Sequence, residues 1–175
     1  MSMRTSKKIL LGLSGLLILG LTFFLSQNVL VLAITLPDHQ QDVLTRRMAT
    51  AGDELCMHYI HSVERTPVQG WFALDPQGGF TALRTLTTGT GTGLPNVVDA
   101  QDVHMQGRWM VVDEGKTHIP EIPFYYLPLN ELRITLAHSS IPLDSVPAGS
   151  RMRITCTPMS RARALLSFAP LSDLM

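Results

Sequence analysis

The chain has 175 residues, 45% hydrophobic and 16% charged, with 14 Lys and Arg against 14 Asp and Glu. Charge this sparse and this balanced argues against a basic nucleic-acid-binding protein, and the apolar content argues against a disordered one. Its 2 cysteines are too few for a disulfide framework or a four-thiolate zinc site. The charge is unevenly laid out: Arg4, Lys7 and Lys8 precede the first apolar run, and from Pro37 onward 11 basic residues face 14 acidic ones.

Residues 9–37 hold no charge, and their densest part, 9–25, reads ILLGLSGLLILGLTFFL. At about 1.5 Å per residue this run makes a helix of roughly 25 Å, near the lower bound for crossing a hydrocarbon core of about 30 Å. Backbone groups in lipid must pair among themselves, so the run is predicted to be helical. The cations lie before it and Asp38 is the first charge after it, which by the positive-inside rule puts the body outside the cytoplasm. The expected layout is a basic cytoplasmic head at 1–8, a single-pass anchor in the cytoplasmic (inner) membrane at 9–27, and an extracytoplasmic, periplasmic β domain at 28–175. A cleaved signal sequence is the competing reading; its apolar core is usually about 7–15 residues, and Leu25-Ser26-Gln27 is a poor cleavage site. A buried helix of an ordinary domain is the third, and charge-free runs of this length are rare there.

The body reads as short strands separated by Gly and Pro turns. Residues 29–35 (VLVLAIT) form a first strand stopped by Pro37, and 42–51 a loop or a single helical turn. Residues 54–63 alternate, with Leu55, Met57, Tyr59, His61 and Val63 on one face and Cys56, His58, Ile60 and Ser62 on the other. Residues 71–74 and 80–87 make a hairpin around Asp75-Pro-Gln-Gly-Gly79. A glycine-dense loop follows at 88–95, then a strand or short helix at 97–103 and a strand at 109–112. Residues 119–129 carry prolines at 120, 123 and 128, which excludes a central strand. Residues 132–138 alternate, with Leu132, Ile134, Leu136 and His138 on one side. Residues 151–157 alternate too, with Met152, Ile154 and Cys156 inward, and 161–168 is a helix or a strand. Seven or eight short strands predict a mainly β domain, an antiparallel sandwich or barrel-like fold, preceded by one transmembrane helix.

Two segments are candidates for chemistry. In His61-Ser62-Val63-Glu64-Arg65 a His, a Ser and a Glu lie close in sequence, but neighbours on a strand point to opposite faces, so His61 cannot serve Ser62 as a base. A triad needs a partner from elsewhere, such as His138 or Asp102, and there is no Gly-x-Ser-x-Gly elbow. His58, His61 and Glu64 do not converge as zinc ligands on a strand. In the second segment, 89–95, Gly91, Gly93 and Pro95 form a loop without the Lys of a P-loop and without the helix of a dinucleotide fingerprint. Its glycines allow positive φ and close backbone approach. Cys56 and Cys156 face an oxidising compartment in this layout and can form a disulfide only if their strands bring them together; the alternation sets them on different faces.

The run Tyr59-Ile60-His61-Ser62-Val63-Glu64-Arg65-Thr66-Pro67-Val68, followed by Gly91-Thr92-Gly93-Leu94-Pro95, resembles the bacterial family called domain of unknown function 1850. The resemblance spans roughly 29–157 and departs from the family pattern at Gln69-Gly70, where the family tends to carry an acid. It implies no activity. It implies proximity to tripartite ATP-independent periplasmic (TRAP) transporters of the TAXI kind, in whose neighbourhood such members are often encoded. The expected function is thus a binding or accessory module of solute uptake outside the cytoplasmic membrane, not an enzyme. Its partners are transporter components or a small solute, with no cofactor, no metal and no nucleic acid. The candidate binding residues are His61, Ser62, Glu64, Arg65, Gly91, Gly93 and Pro95. The alternatives are a periplasmic hydrolase using Ser62 and a purely structural envelope protein.

Overall fold

A computed structural model describes residues 3–38, 42–89, 103–115 and 117–168, with side chains from Gly12 onward. Two compact units emerge, one of residues 30–158 and one of 1–29 with 159–175.

The first unit is β throughout. Strand β1 (Asn28–Leu36) buries Leu30, Leu32, Ile34 and Leu36 on its alternating face. Strand β2 (Asp42–Ala49) pairs antiparallel with it, with a register shift between Ile34 and Thr35. This corrects the loop or helical turn expected at 42–51. The strand has little alternation of its own and takes its conformation from β1. In chain order there follow β3 (Glu54–Ile60), β4 (Pro67–Leu74), β5 (Phe80–Thr87), β6 (Val103–Gln106), β7 (Trp109–Asp113), β8 (His118–Ile119) and β9 (Glu121–Tyr125). A 3₁₀ turn at Pro128–Asn130 precedes β10 (Arg133–Leu136), β11 (Ser139–Ile141) and β12 (Arg151–Ser160).

The strands form a 4-stranded sheet in the order β2-β1-β12-β9 and an 8-stranded sheet in the order β11-β10-β3-β4-β5-β7-β6, with β8 beside β5. Strand β9 carries Pro123, and it lies at an edge, where a missing N–H is tolerated. Among the described residues the sheets keep free edges and do not close into a barrel. Both contribute to one apolar cluster: Leu32, Ile34, Met152 and Ile154 from the smaller, Leu55, Leu74, Phe80 and Ile134 from the larger. Tyr59 of β3 meets Phe124 of β9 edge to face across this core, with ring centroids 5.2 Å apart.

The second unit holds helix α1 (Met3–Ser26) and helix α2 (Arg161–Phe168). The Arg161 N–H donates to the Gln27 carbonyl over 2.8 Å, and the Arg161 guanidinium lies 4.0 Å from the centre of the Phe24 ring. Ala164 is fully buried. Leu16, Leu17, Ile18 and Leu19 of α1 are 64–71% exposed. Consecutive helical positions lie about 100° apart, so these exposed side chains surround the helix. Among the described residues no helix is long and apolar enough to cross a membrane.

Candidate functional site

The His61–Thr66 segment is the connection between β3 and β4, not the end of a strand. His61 N–H donates to the Thr66 carbonyl over 2.8 Å, and Arg65 N–H donates back to the His61 carbonyl over 2.9 Å. The second bond closes a single helical-type turn, and Arg65 completes it in the left-handed region at φ +54°. Glu64 N–H donates to His61 Nδ1 over 3.2 Å. With Nδ1 accepting, the ring N–H is Nε2, and the imidazole is fixed to its own turn. Ser62, Val63, Glu64 and Arg65 are exposed, Val63 at 70%.

The glycine loop starts beside this turn. Val68 pairs with Thr87 at the last step of the β4–β5 ladder, so both segments leave the sheet at the same end. Thr87 is 1% exposed; its hydroxyl donates to the Gly89 carbonyl over 3.1 Å and accepts from the Gly89 N–H over 3.3 Å. A Cβ at Gly89 would stand 3.1 Å from Thr66 Cγ2 and 3.3 Å from Thr66 Oγ1. Thr66 Oγ1 is itself buried, with no hydrogen-bond partner among the described residues. Gly91, Gly93 and Pro95 lie outside the described residues, as does the strand or helix expected at 97–103 up to Asp102.

The outer face of the larger sheet carries a second feature that the sequence reading missed. Thr135, Cys56, Trp71, Arg84 and Asp113 lie directly opposite one another on β10, β3, β4, β5 and β7. Arg84 stacks on Trp71, its guanidinium carbon 4.7 Å from the ring centre. One end of this row opens into a concavity of about 490 Å³ bounded by Glu54, Cys56, Trp71, Thr135 and His138. Burial pushes the Cys56 thiol up from its ordinary value of 9.0, against a hydrogen bond with Thr135 that lowers it. The groove therefore presents a protonated thiol at neutral pH, which is a poor nucleophile. Alternation already placed Cys56 on the face away from the core. Which strands lie beside it is a non-local property that no local pattern encodes.

The remaining candidates come apart. Ala137, next to His138, donates its N–H to the Glu54 carbonyl over 3.0 Å, at the start of β3, whereas Ser62 lies beyond its end. At about 3.3 Å per residue, His138 and Ser62 are separated by roughly 25 Å of strand. No His138–Ser62 dyad forms. Among the described residues no group of 3 or more His, Cys, Asp and Glu gathers to hold a metal ion. Cys56 and Cys156 are both free thiols, so the pairing weighed above is not made. Cys56 lies on the outer face of one sheet and Cys156 in the core on β12, where burial, with Asp75 second, pushes its thiol up to about 11.

The body is thus a mainly antiparallel β domain whose two sheets share a core, with a tight exposed turn at one end. Residues 55–143 match the family described as Domain of unknown function (DUF1850), and the chain belongs to that family. The match is narrower than the stretch suggested by the motif residues: it runs from β3 to just past β11 and leaves out β1, β2 and β12. No curated protein and no solved structure matches the chain.

Proposed function

We propose that this chain is a non-catalytic binding or accessory module, held at the cytoplasmic membrane by α1, that offers the 61–67 turn and the adjoining Thr88-Gly89 to a partner on the extracytoplasmic side. The observation that carries the binding part is that Ser62, Val63, Glu64 and Arg65 are all exposed, while the backbone beneath them is fixed by the hydrogen bonds of His61 with Thr66 and of Arg65 with His61. A rigid turn displaying side chains that the fold does not consume is suited to recognition. The anchor part is supported by the apolar side chains that surround α1 in exposed positions, a pattern otherwise found in helices that something apolar covers. The side of the membrane follows from Arg4, Lys7 and Lys8 ahead of the helix. A component of a TRAP/TAXI-type solute-uptake system is the partner class that the family resemblance suggests; a small solute is the other.

The test replaces Ser62, Val63 and Glu64 together by Ala. Such exposed positions carry little stability, within about 0.5 kcal/mol each. The expected result is loss of partner co-purification, or of uptake of the solute, at an unchanged melting temperature. Unchanged co-purification and uptake would reject the site. A lowered melting temperature with no other defect would leave the turn a structural device.

The hydrolase reading loses its best base with the removal of His138 from Ser62. Covalent labelling of Ser62 by a fluorophosphonate in the folded protein would restore it.

A further inference from the structure

The surface of helix α2 is built for a specific environment. On a wheel of about 100° per residue, Leu165, Ala162 and Leu166 form one continuous stripe with Arg161 at one border and Arg163 at the other. Leu165 is 49% exposed and Leu166 74%. The opposite side is spoken for: Ala164 is fully buried and the Ser167 hydroxyl donates to the Ala164 carbonyl over 2.7 Å, while at the border Arg161 rests on Phe24 of α1. An outward apolar stripe beside an exposed guanidinium, that of Arg163, is the arrangement of a helix at the boundary of a bilayer, where Leu enters the acyl region and Arg reaches phosphate.

Charge selects the occupant. From Met1 to Val29, and from Met159 to Phe168, the sequence has no acidic residue. The exposed apolar surface of α2 also adjoins that of α1 through the Arg161–Phe24 and Arg161–Gln27 contacts. We infer that α2 is a second lipid contact: an interfacial helix that seats Leu165 and Leu166 in an anionic leaflet, with Arg163 on its headgroup phosphates and Arg161 holding the helix against Phe24 of α1. This rests on the reading of α1 as the membrane anchor and extends it to the far end of the chain.

The experiment places a photoreactive p-benzoylphenylalanine at Leu166 or, separately, at Leu17 in the full chain. Each protein is reconstituted into bilayers of phosphatidylcholine with phosphatidylglycerol. The expected result is crosslinking to lipid from both positions. Removing the phosphatidylglycerol, or making Arg163→Gln, should lower the yield at 166 severalfold and leave that at 17 unchanged. Lipid adducts from 17 with none from 166 would overturn the role of α2 and leave the anchor standing. No lipid adduct from either would overturn both. Adducts from 166 to a second copy of the chain, or to another protein, would make α2 an oligomer or partner surface and overturn the inference.

Discussion

The Cys156 thiol, 4% exposed on β12, is pushed up from 9.0 to about 11, first by burial and then by the Asp75 carboxylate. The fold therefore favours the protonated thiol. Between pH 9 and pH 11 the unfolded chain gives up this proton and the folded chain keeps it. The stabilisation is complete below pH 9 and drains away as the pH rises through about 11. At 1.36 kcal/mol per unit it amounts to about 2–3 kcal/mol at most. Urea denaturation across this window should show stability falling more steeply with pH in the native sequence than in Cys156→Ala. Parallel slopes would remove the thiol as the cause. The inward set of Met152, Ile154 and Cys156 was legible from period-two alternation alone, because β12 has one buried face. His138 was not: the same alternation grouped it with Leu132, Ile134 and Leu136, but the strand ends at Leu136 and His138 is exposed in the turn beyond.

That turn is the element in which the sequence and the backbone disagree most. Strands β10 and β11 pair Leu136 with Ser139, leaving Ala137 and His138 as a two-residue loop, with φ of +45° and +68°. Two consecutive positive φ values define the tight hairpin turn that favours Asn-Gly, and left-handed conformation costs a residue with a Cβ about 1 kcal/mol or more. Replacing Ala137-His138 by Asn-Gly should stabilise the protein by about 1 kcal/mol and raise its melting temperature by roughly 3–5 °C. An unchanged or lowered midpoint in differential scanning calorimetry would mean that packing around His138 repays the strain. Without Gly, Asn or Asp in this turn nothing local marks β11 in the sequence, and the motif turn is hidden in the same way. His61 to Thr66 contains none of the three, and Arg65 takes the left-handed position. The alternation in the sequence therefore runs on to Val63, although the strand stops at Ile60. Where turn chemistry is regular, as in Asp75-Pro-Gln-Gly-Gly79, the sequence marks the hairpin turn, although its first strand begins at Pro67 and not at Trp71. There Gly79 has φ +76°, and a Cβ would stand 2.7 Å from the Ile119 carbonyl.

The core residues shared by the two sheets all fall between Leu30 and Cys156, inside the unit of residues 30–158. The apolar character of α1 was plain in the sequence because it depends on composition alone. The order of strands was not, because β1 and β12 are neighbours across more than a hundred residues of chain, as the Thr35 hydroxyl donating to the Arg153 carbonyl over 3.5 Å shows. That closure brings strands outside the family match into the same core: Leu32 and Ile34 from β1 and Met152 and Ile154 from β12 are each no more than 1% exposed. A chain of residues 28–160 keeps both strands whole and removes both helices. It should fold cooperatively without detergent, giving the far-ultraviolet dichroism of a β protein and one thermal transition. A chain cut to the matched 55–143 loses β1 and β12, whose Leu32, Ile34, Met152 and Ile154 share one apolar cluster with Leu55, Ile134 and Leu136. Uncovering buried apolar surface costs about 25 cal/mol per Å², against a whole-domain stability of only about 5–15 kcal/mol. The 55–143 chain should therefore bind hydrophobic dye and show no cooperative melt. A sharp transition in the shorter chain would mean that the larger sheet folds alone and that the smaller one is an attachment. A featureless melt in the longer one would mean that the body needs its helices to fold.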